Sequence, residues 1–132
     1  MFKRILLRLS LFGILTLPVS VLADAQIHEW YGEYAMNHDG WRGTLVISDS
    51  KADCASSPWC AMVLKYRDHQ GQTHRVAVEK IDNKGQHMVF YIYFPQNKQK
   101  FDAYLFSWDK SKMAGTTYWG GRTFGFYATK RQ

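Results

Sequence analysis

Histidine is the side chain best suited to acid–base and metal chemistry near neutral pH, and this sequence carries it at scattered positions. There are five histidines, namely His28, His38, His69, His74 and His87. His38 and His69 fall in predicted turns, where we expect them to be solvated. His74 and His87 fall on neighbouring predicted strands and are the one pair placed for a metal site, but the five histidines are otherwise dispersed along the chain. We therefore predict no metal site and no cofactor.

The sequence lacks the short motifs that mark common enzyme mechanisms. It contains no G-x-S-x-G nucleophile turn, no H-E-x-x-H zinc motif and no phosphate-binding glycine loop. Glu29, Glu33 and Asp39 come closest to an acid–base arrangement, but strand alternation and turn placement put them on the exterior. We therefore predict no catalytic residues and a protein that is not an enzyme.

Cys54 and Cys60 are the two cysteines of the chain. The redox spacing C-x-x-C is absent, and no histidine lies at zinc-ligand spacing beside them. An even pair at close spacing in an oxidising compartment predicts a disulfide. Such a bond would hold the enclosed loop, which contains Ser56, Ser57 and Pro58, in one conformation.

The first 25 residues have the pattern of a secretory signal peptide. A basic segment (residues 3–8) precedes an apolar stretch (residues 9–17). That stretch is shorter than the roughly 20 residues that span a bilayer, so we predict no stable membrane anchor. Small residues favour cleavage after Ala23 or Ala25, and the pattern is typical of bacteria. We expect a periplasmic or secreted protein with one domain at residues 26–132.

Much of the basic charge belongs to this signal segment. The formal net charge is +6, but cleavage would remove Lys3, Arg4 and Arg8 and leave +3, or +4 if Asp24 is lost as well. A basic cluster remains at Lys98, Lys100, Lys110 and Lys112. Basic residues interleaved with aromatic ones can bind single-stranded nucleic acid, but the remaining charge is modest and export removes that partner. We predict no nucleic-acid partner.

The rest of the chain shows the period-two alternation of strands rather than a helical period. Runs rich in Val, Ile, Thr, Tyr, Phe and Trp predict strands at residues 28–36, 40–48, 59–67, 73–81, 86–94, 100–108, 112–119 and 122–129. Polar turns separate these runs. Three of the turns have Asn or Asp first and Gly fourth, as in Asp68-His69-Gln70-Gly71, and Gly120-Gly121 predicts a two-residue hairpin.

This pattern predicts an all-β fold, an eight-stranded antiparallel up-and-down β-barrel, with a β-sandwich as the alternative. Closure removes the edges at which a strand as apolar as residues 88–94 would aggregate. Gly32, Gly43, Gly115 and Gly125 would then lie on four consecutive strands. We expect aromatic rings to pack over their bare backbone.

Large aromatic residues on the predicted inner faces suggest a ligand site. An eight-stranded barrel is either filled by its own side chains or holds one small ligand, and the sequence leaves both open. We expect Trp30, Tyr34, Trp41, Tyr66 and Trp119 to line one mouth of the barrel. The function predicted from them is the binding of a small hydrophobic or aromatic ligand.

Aromatic residues on the outer faces of strands five and six favour a second function, which is protein binding. The predicted interface consists of Tyr91, Tyr93, Tyr104 and Trp108 together with Ser56, Ser57, Pro58 and Trp59 of the cysteine loop. Its partner would be another exported protein, as for an inhibitor or immunity protein, or a second copy of this chain in a homo-oligomer.

Trp30 and Gly32 near the first strand, Gly43-Thr44-Leu45 on the second and the eight-strand meander together resemble the calycin group. That group contains the lipocalins and the avidin-like proteins. In lipocalins a Gly precedes the Trp, whereas Glu29 precedes Trp30 here. The resemblance covers the layout of the mature chain and implies a small secreted barrel that binds a ligand. It assigns no binding residue.

Overall fold

The computed structural model of the protein describes residues 26–54 and 58–131. Its strands are β1 (Gly32–His38), β2 (Trp41–Asp49), β3 (Met62–Asp68), β4 (Thr73–Asp82), β5 (His87–Tyr93), β6 (Lys98–Leu105), β7 (Lys112–Trp119) and β8 (Arg122–Lys130). Each strand pairs antiparallel with the next, and β8 pairs with β1. This closed up-and-down barrel confirms the predicted fold, and the β-sandwich alternative is wrong. The predicted signal segment (1–25), Ser56 and Ser57 lie outside the described residues.

The first element is a short helix where the sequence pattern predicts a strand. Helix α1 covers Ile27–Trp30 and overlaps the start of the predicted strand 28–36, and β1 begins only at Gly32. The Gln26 N–H donates to Glu29 Oε1 over 2.8 Å, which favours a helical turn at this point. Trp30 then turns inward and is completely buried. The period-two spacing of Trp30, Tyr34 and Met36 predicts one strand, whereas Ile27 and Trp30, three positions apart, fit one helical turn.

The cysteine loop shortens the third strand from its predicted start at residue 59. A disulfide joins Cys54 and Cys60, as predicted, and a 3₁₀ helix over Pro58–Ala61, which includes Cys60, ends the loop before β3 begins. Within the described ranges, neither this helix nor α1 has the length and apolarity needed to cross a membrane. Because the loop ends in a helical turn, β3 begins to pair with β2 only at Met62.

The two ends of the barrel are built differently. The turns β1–β2, β3–β4, β5–β6 and β7–β8 lie at one end, the mouth, whereas α1 and the disulfide loop lie at the other end, the base. Trp30 closes the base, because its Nε1–H donates to the Gly85 carbonyl over 2.6 Å. The Tyr34 hydroxyl donates to the Trp30 carbonyl over 2.7 Å. Both buried aromatic residues thus satisfy their polar atoms.

Side chains fill the interior between these ends. The buried apolar residues include Met36, Leu45, Ile47, Leu64, Met88, Phe90, Ile92, Phe101, Leu105, Met113 and Phe126. The rings of Phe90 and Phe101 stack with centroids 5.2 Å apart, and Phe126 meets Phe101 edge-on. The middle of the barrel is therefore a packed core, and a ligand would have to bind near an end.

Gly43 on β2 lets an aromatic ring approach the backbone. A Cβ atom at this position would overlap the phenol ring and oxygen of Tyr66 on β3. This is the ring-over-glycine packing that the sequence predicts. It is not general to the four strand glycines, because nothing lies within 4 Å of a Cβ added at Gly125.

The barrel wall is weakest between β3 and β4. Only three residue pairs join these strands, from Lys65–Arg75 to Arg67–Thr73. Towards the base the strands separate around a groove of about 520 Å³. Trp59, Met62, Leu64, Val76, Val78 and Ile81 line it together with neighbouring polar residues. The mouth half of the seam is therefore tied by hydrogen bonds, and the base half is open.

Candidate binding site at the barrel mouth

A pocket of about 240 Å³ opens at the mouth of the barrel. Four turns surround it, so residues far apart in sequence meet there. It is lined by His38, Asp39, Trp41, Tyr66, Asp68, His69, Phe94, Asn97, Gln99 and Trp119. This mixture of aromatic rings and hydrogen-bonding groups is typical of small-molecule sites.

Two tight hairpins position Asp39 and Trp119 at the rim. Asp39 and Gly40 form the two-residue loop between β1 and β2, and both have positive φ values, 38° and 89°. Gly120–Gly121 form the corresponding loop between β7 and β8. Asp-Gly and Gly-Gly tolerate this left-handed backbone, which matches the twist of the strands. The Trp119 Nε1–H donates to Asp39 Oδ2 over 2.6 Å and links the two hairpins.

Tryptophan side chains form the outer walls of the pocket. Trp41 stacks on His69 with ring centroids 5.2 Å apart, and Trp119 stacks on Phe124 at 5.9 Å. These neighbours hold the rings in place, yet Trp41 remains 54% exposed and Trp119 remains 42% exposed. Two large aromatic faces are therefore fixed in position at the rim and still open to solvent.

A chain of hydrogen bonds runs inward from Asp39 through His38 to Tyr66. His38 Nδ1 lies 2.5 Å from Asp39 Oδ1, and His38 Nε2 lies 2.7 Å from Tyr66 Oη. The rings of Phe94 and Phe101 pack around His38 at centroid distances of 6.2 and 5.4 Å. The prediction that His38 is solvated in a turn is therefore wrong. It is the last residue of β1, its side chain points inward, and it is buried.

The protonation states along this chain follow from geometry and burial. An ionised carboxylate can only accept hydrogen bonds, so the proton of His38 lies on Nδ1, facing Asp39. Burial lowers the pKa of His38, although the hydrogen bond and charge of Asp39 oppose this effect. The neutral ring leaves Nε2 as an acceptor for the Tyr66 hydroxyl. Burial, together with the charges of Asp68 and Asp39, raises the pKa of Tyr66 and keeps it a phenol.

Asp68 organises the turn between β3 and β4 in a similar way. Its Oδ2 accepts from His74 Nε2 over 2.7 Å, and its Oδ1 accepts from the backbone N–H groups of Gln70 and Gln72 over 2.9 Å each. The His74 hydrogen bond contributes most to the lowered pKa of Asp68. His74 also packs against Phe94, with centroids 5.0 Å apart. The carboxylate therefore fixes the turn and one side of the pocket.

Gln99 adds a buried amide to the wall. Its Nε2–H donates to Thr117 Oγ1 over 2.8 Å, and the Thr117 hydroxyl donates to the Lys100 carbonyl over 2.8 Å. Gln99 and Thr117 are both buried. These bonds link β6 to β7 and hold the amide in one orientation at the pocket.

The structure brings together three of the five residues predicted to bind a ligand. Trp41, Tyr66 and Trp119 line the mouth pocket. Trp30 and Tyr34 are instead completely buried towards the base, hydrogen-bonded to each other and to Gly85. The expectation that all five residues line one mouth is thus wrong for Trp30 and Tyr34, which lie towards the opposite end of the barrel. Period-two alternation indicates which side chains point inward but not how deep along the barrel each one lies.

The polar residues of the pocket are the part that the sequence interpretation missed. His38-Asp39 and Asp68-His69 each place a histidine beside an aspartate at a predicted turn. In an up-and-down barrel the β1–β2 and β3–β4 turns lie at the same end. Together these two facts could have indicated a polar site at the mouth.

The residues predicted for a protein interface have varied environments. Lys98 lies 4.2 Å above the Tyr91 ring and Arg75 lies 3.8 Å above the Tyr93 ring, so cationic side chains partly cover both rings. Tyr104 stacks on His87 and remains half exposed. Trp108 does not lie on strand six as predicted, because β6 ends at Leu105, and its side chain is 84% exposed. Trp59 packs partly buried against the core, and Pro58 begins the 3₁₀ helix.

His74 and His87 do not come together. His74 lies near the mouth beside Asp68, whereas His87 lies near the base, where it bonds to Asp82 and Asp102. No group of three or more potential metal ligands occurs among the described residues.

Comparisons of the chain with protein-family models, with curated proteins and with solved structures give no match. The resemblance to the calycin group therefore stays a prediction.

Proposed function

We propose that the protein is an exported, non-enzymatic binding protein that takes a small planar aromatic molecule into the mouth pocket. The observation that carries this proposal is the pair of fixed, solvent-open tryptophans, Trp41 and Trp119, at the rim of a pocket with polar walls. A cavity of about 150 Å³ is enough for benzene, so 240 Å³ suits one or two fused rings. The fixed polar groups would orient such a ligand.

The protonation state of the pocket favours binding over catalysis. A phenol whose pKa is raised is a weak acid and a poor source of nucleophile at neutral pH. Both carboxylates already accept hydrogen bonds, Asp39 from His38 and Trp119, and Asp68 from His74. These contacts support a rigid recognition surface.

A fragment screen on the mature protein tests the proposal. Planar aromatic fragments should raise the melting temperature and shift the indole N–H resonances of Trp41 and Trp119 in NMR spectra. Trp41→Ala should weaken binding at least tenfold, because it removes one wall of the pocket. Trp108→Ala is the control, since it removes an even more exposed tryptophan from outside the pocket lining, and it should leave the affinity unchanged. A screen without binders, or equal losses in both variants, would refute the proposal.

Export is the second part of the proposal. The signal-like segment at residues 1–25 supports it, and the Cys54–Cys60 disulfide is compatible with an oxidising location. Expression of the full chain in a Gram-negative bacterium should yield periplasmic protein beginning at Asp24 or Gln26, as read by mass spectrometry. Full-length protein retained in the cytoplasm would contradict export.

Protein binding is the alternative function, and the exposure of Trp108 is the observation that favours it. Trp108 is 84% exposed, and Phe106 packs beside it at 5.4 Å between ring centroids. Aromatic residues of this kind anchor interfaces. A stoichiometric complex with another exported protein that Trp108→Ala abolishes and Trp41→Ala preserves would support this function instead.

A further inference from the structure

We propose that Tyr66 makes the mouth pocket select aromatic ligands that carry a hydrogen-bond donor, an N–H or O–H group, and that are neutral or cationic. This inference rests on the proposed function and specifies the ligand class of the same pocket. It follows from three features of the structure: the fixed direction of the hydrogen bonds, the position of the phenol, and the charge of the lining.

The direction of the hydrogen bonds is fixed from the rim inward. Asp39 uses Oδ2 to accept from Trp119 and Oδ1 to accept from His38 Nδ1. Because this nitrogen carries the single proton of the neutral ring, Nε2 can only accept, and the Tyr66 hydroxyl must donate to it at 2.7 Å. The phenol proton is thereby committed, and the Tyr66 oxygen can offer a ligand only a lone pair.

Packing prevents the phenol from turning away. Its ring and oxygen lie against the bare backbone of Gly43, and the ring meets Phe94 edge-on with centroids 5.8 Å apart. Tyr66 and His38 both line the pocket and are almost fully buried, so a ligand would meet the phenol oxygen only at the inner end of the pocket. A ligand that presents an acceptor to this oxygen would leave two lone pairs opposed, which is unfavourable for buried groups.

The charge of the lining points to the same ligand class. Of the described residues that line the pocket, two are carboxylates, Asp39 and Asp68, and none is a lysine or arginine. Carboxylate oxygens add acceptors and disfavour anions. Aromatic carboxylates are therefore expected to bind poorly, and aromatic amines and N–H heterocycles are expected to bind best.

Indole and 1-methylindole test the inference, since they share one ring system and differ in the N–H donor. Isothermal titration at pH 7 should show that indole binds the mature protein about tenfold more tightly, the ratio expected from one good hydrogen bond. Tyr66→Phe should bring the ratio close to one. Tyr104→Phe, the same change on the outer surface, should preserve it.

Each outcome decides the inference. Equal affinities in the wild type, or a preference for indole that persists in Tyr66→Phe, would overturn the selection by Tyr66 while the binding function stands. If neither probe binds, the binding function for this ligand class fails and the inference fails with it. A second measurement does not depend on any ligand: ¹⁵N NMR of the wild type should show the proton of His38 on Nδ1. A proton on Nε2 would refute the hydrogen-bond direction even if Tyr66→Phe does not fold.

Discussion

At the scale of single residues, Gly43 matters because of the side chain it lacks. The phenol of Tyr66 occupies the space where a Cβ would be, and its oxygen bonds to His38 from there. We expect Gly43→Ala to destabilise the protein by about 1–3 kcal/mol, the usual cost of overpacking a closely packed site. Unfolding in urea, followed by near-UV circular dichroism, measures this cost.

Gly125→Ala on β8 is the matched control for that experiment. Nothing lies within 4 Å of a Cβ added at Gly125, and its φ, like that of Gly43, lies outside the positive range. We expect its effect to be about 0.5 kcal/mol or less in either direction. Similar losses in both variants would mean that strand propensity, and not the Tyr66 contact, explains the cost at Gly43.

At the scale of secondary-structure elements, the seam between β3 and β4 should be the most mobile part of the described barrel. Beyond Arg75, β4 pairs with β5 on one side and has no ladder to β3 on the other. Alternate amides of a strand point to opposite sides. Apart from the irregularity near Glu79, we therefore expect every second amide from Val76 to Asp82 to exchange rapidly with solvent deuterium.

Strand β6 provides the comparison, because β5 and β7 pair with it along most of its length. Its amides should be protected without alternation in hydrogen-exchange NMR. Uniform protection along β4 would show that the seam closes in solution and that the groove beside Val78 is not open.

The elements also show how far the sequence could predict this molecule. Alternation and turn residues predicted eight strands and favoured a closed barrel over a sandwich, because each inner face needs a core and each hairpin needs Gly, Asn or Asp. Helix α1 was missed, since Trp30 fits the period-two spacing of Tyr34 and Met36 on β1. The contact of His38 with Tyr66 was missed for another reason. It joins residues 28 positions apart, and the stagger of β1, β2 and β3 that brings them level cannot be deduced from alternation.

At the scale of the whole molecule, His38 and His87 make the stability of the fold depend on pH in opposite directions. Burial lowers the pKa of His38 at the mouth, so protonating it costs stability as the pH falls below about 6.5, the usual pKa of histidine. At the base, burial alone would lower the pKa of His87. The hydrogen bonds that His87 makes to Asp102 and Asp82, together with the negative charges of these residues, outweigh burial and raise this pKa.

The direction in which His87 makes stability depend on pH can be tested with His87→Gln. Because the pKa of His87 is raised, the folded state keeps this proton at pH values where the unfolded state has already released it. The stabilisation from His87 is therefore complete below about pH 6.5 and is lost as the pH rises through the folded-state pKa. The pKa of Asp82 is lowered, mainly by its hydrogen bond to His87, so its share is lost as the pH falls below about 4. The difference in unfolding free energy between wild type and variant should therefore be largest between about pH 4 and 6.5.

Urea unfolding at intervals from pH 3 to 9 measures this difference, with His28→Gln in α1 correcting for loss of an exposed histidine. A difference that grows above pH 7 would show that the Asp82–His87–Asp102 cluster does not hold its proton in solution.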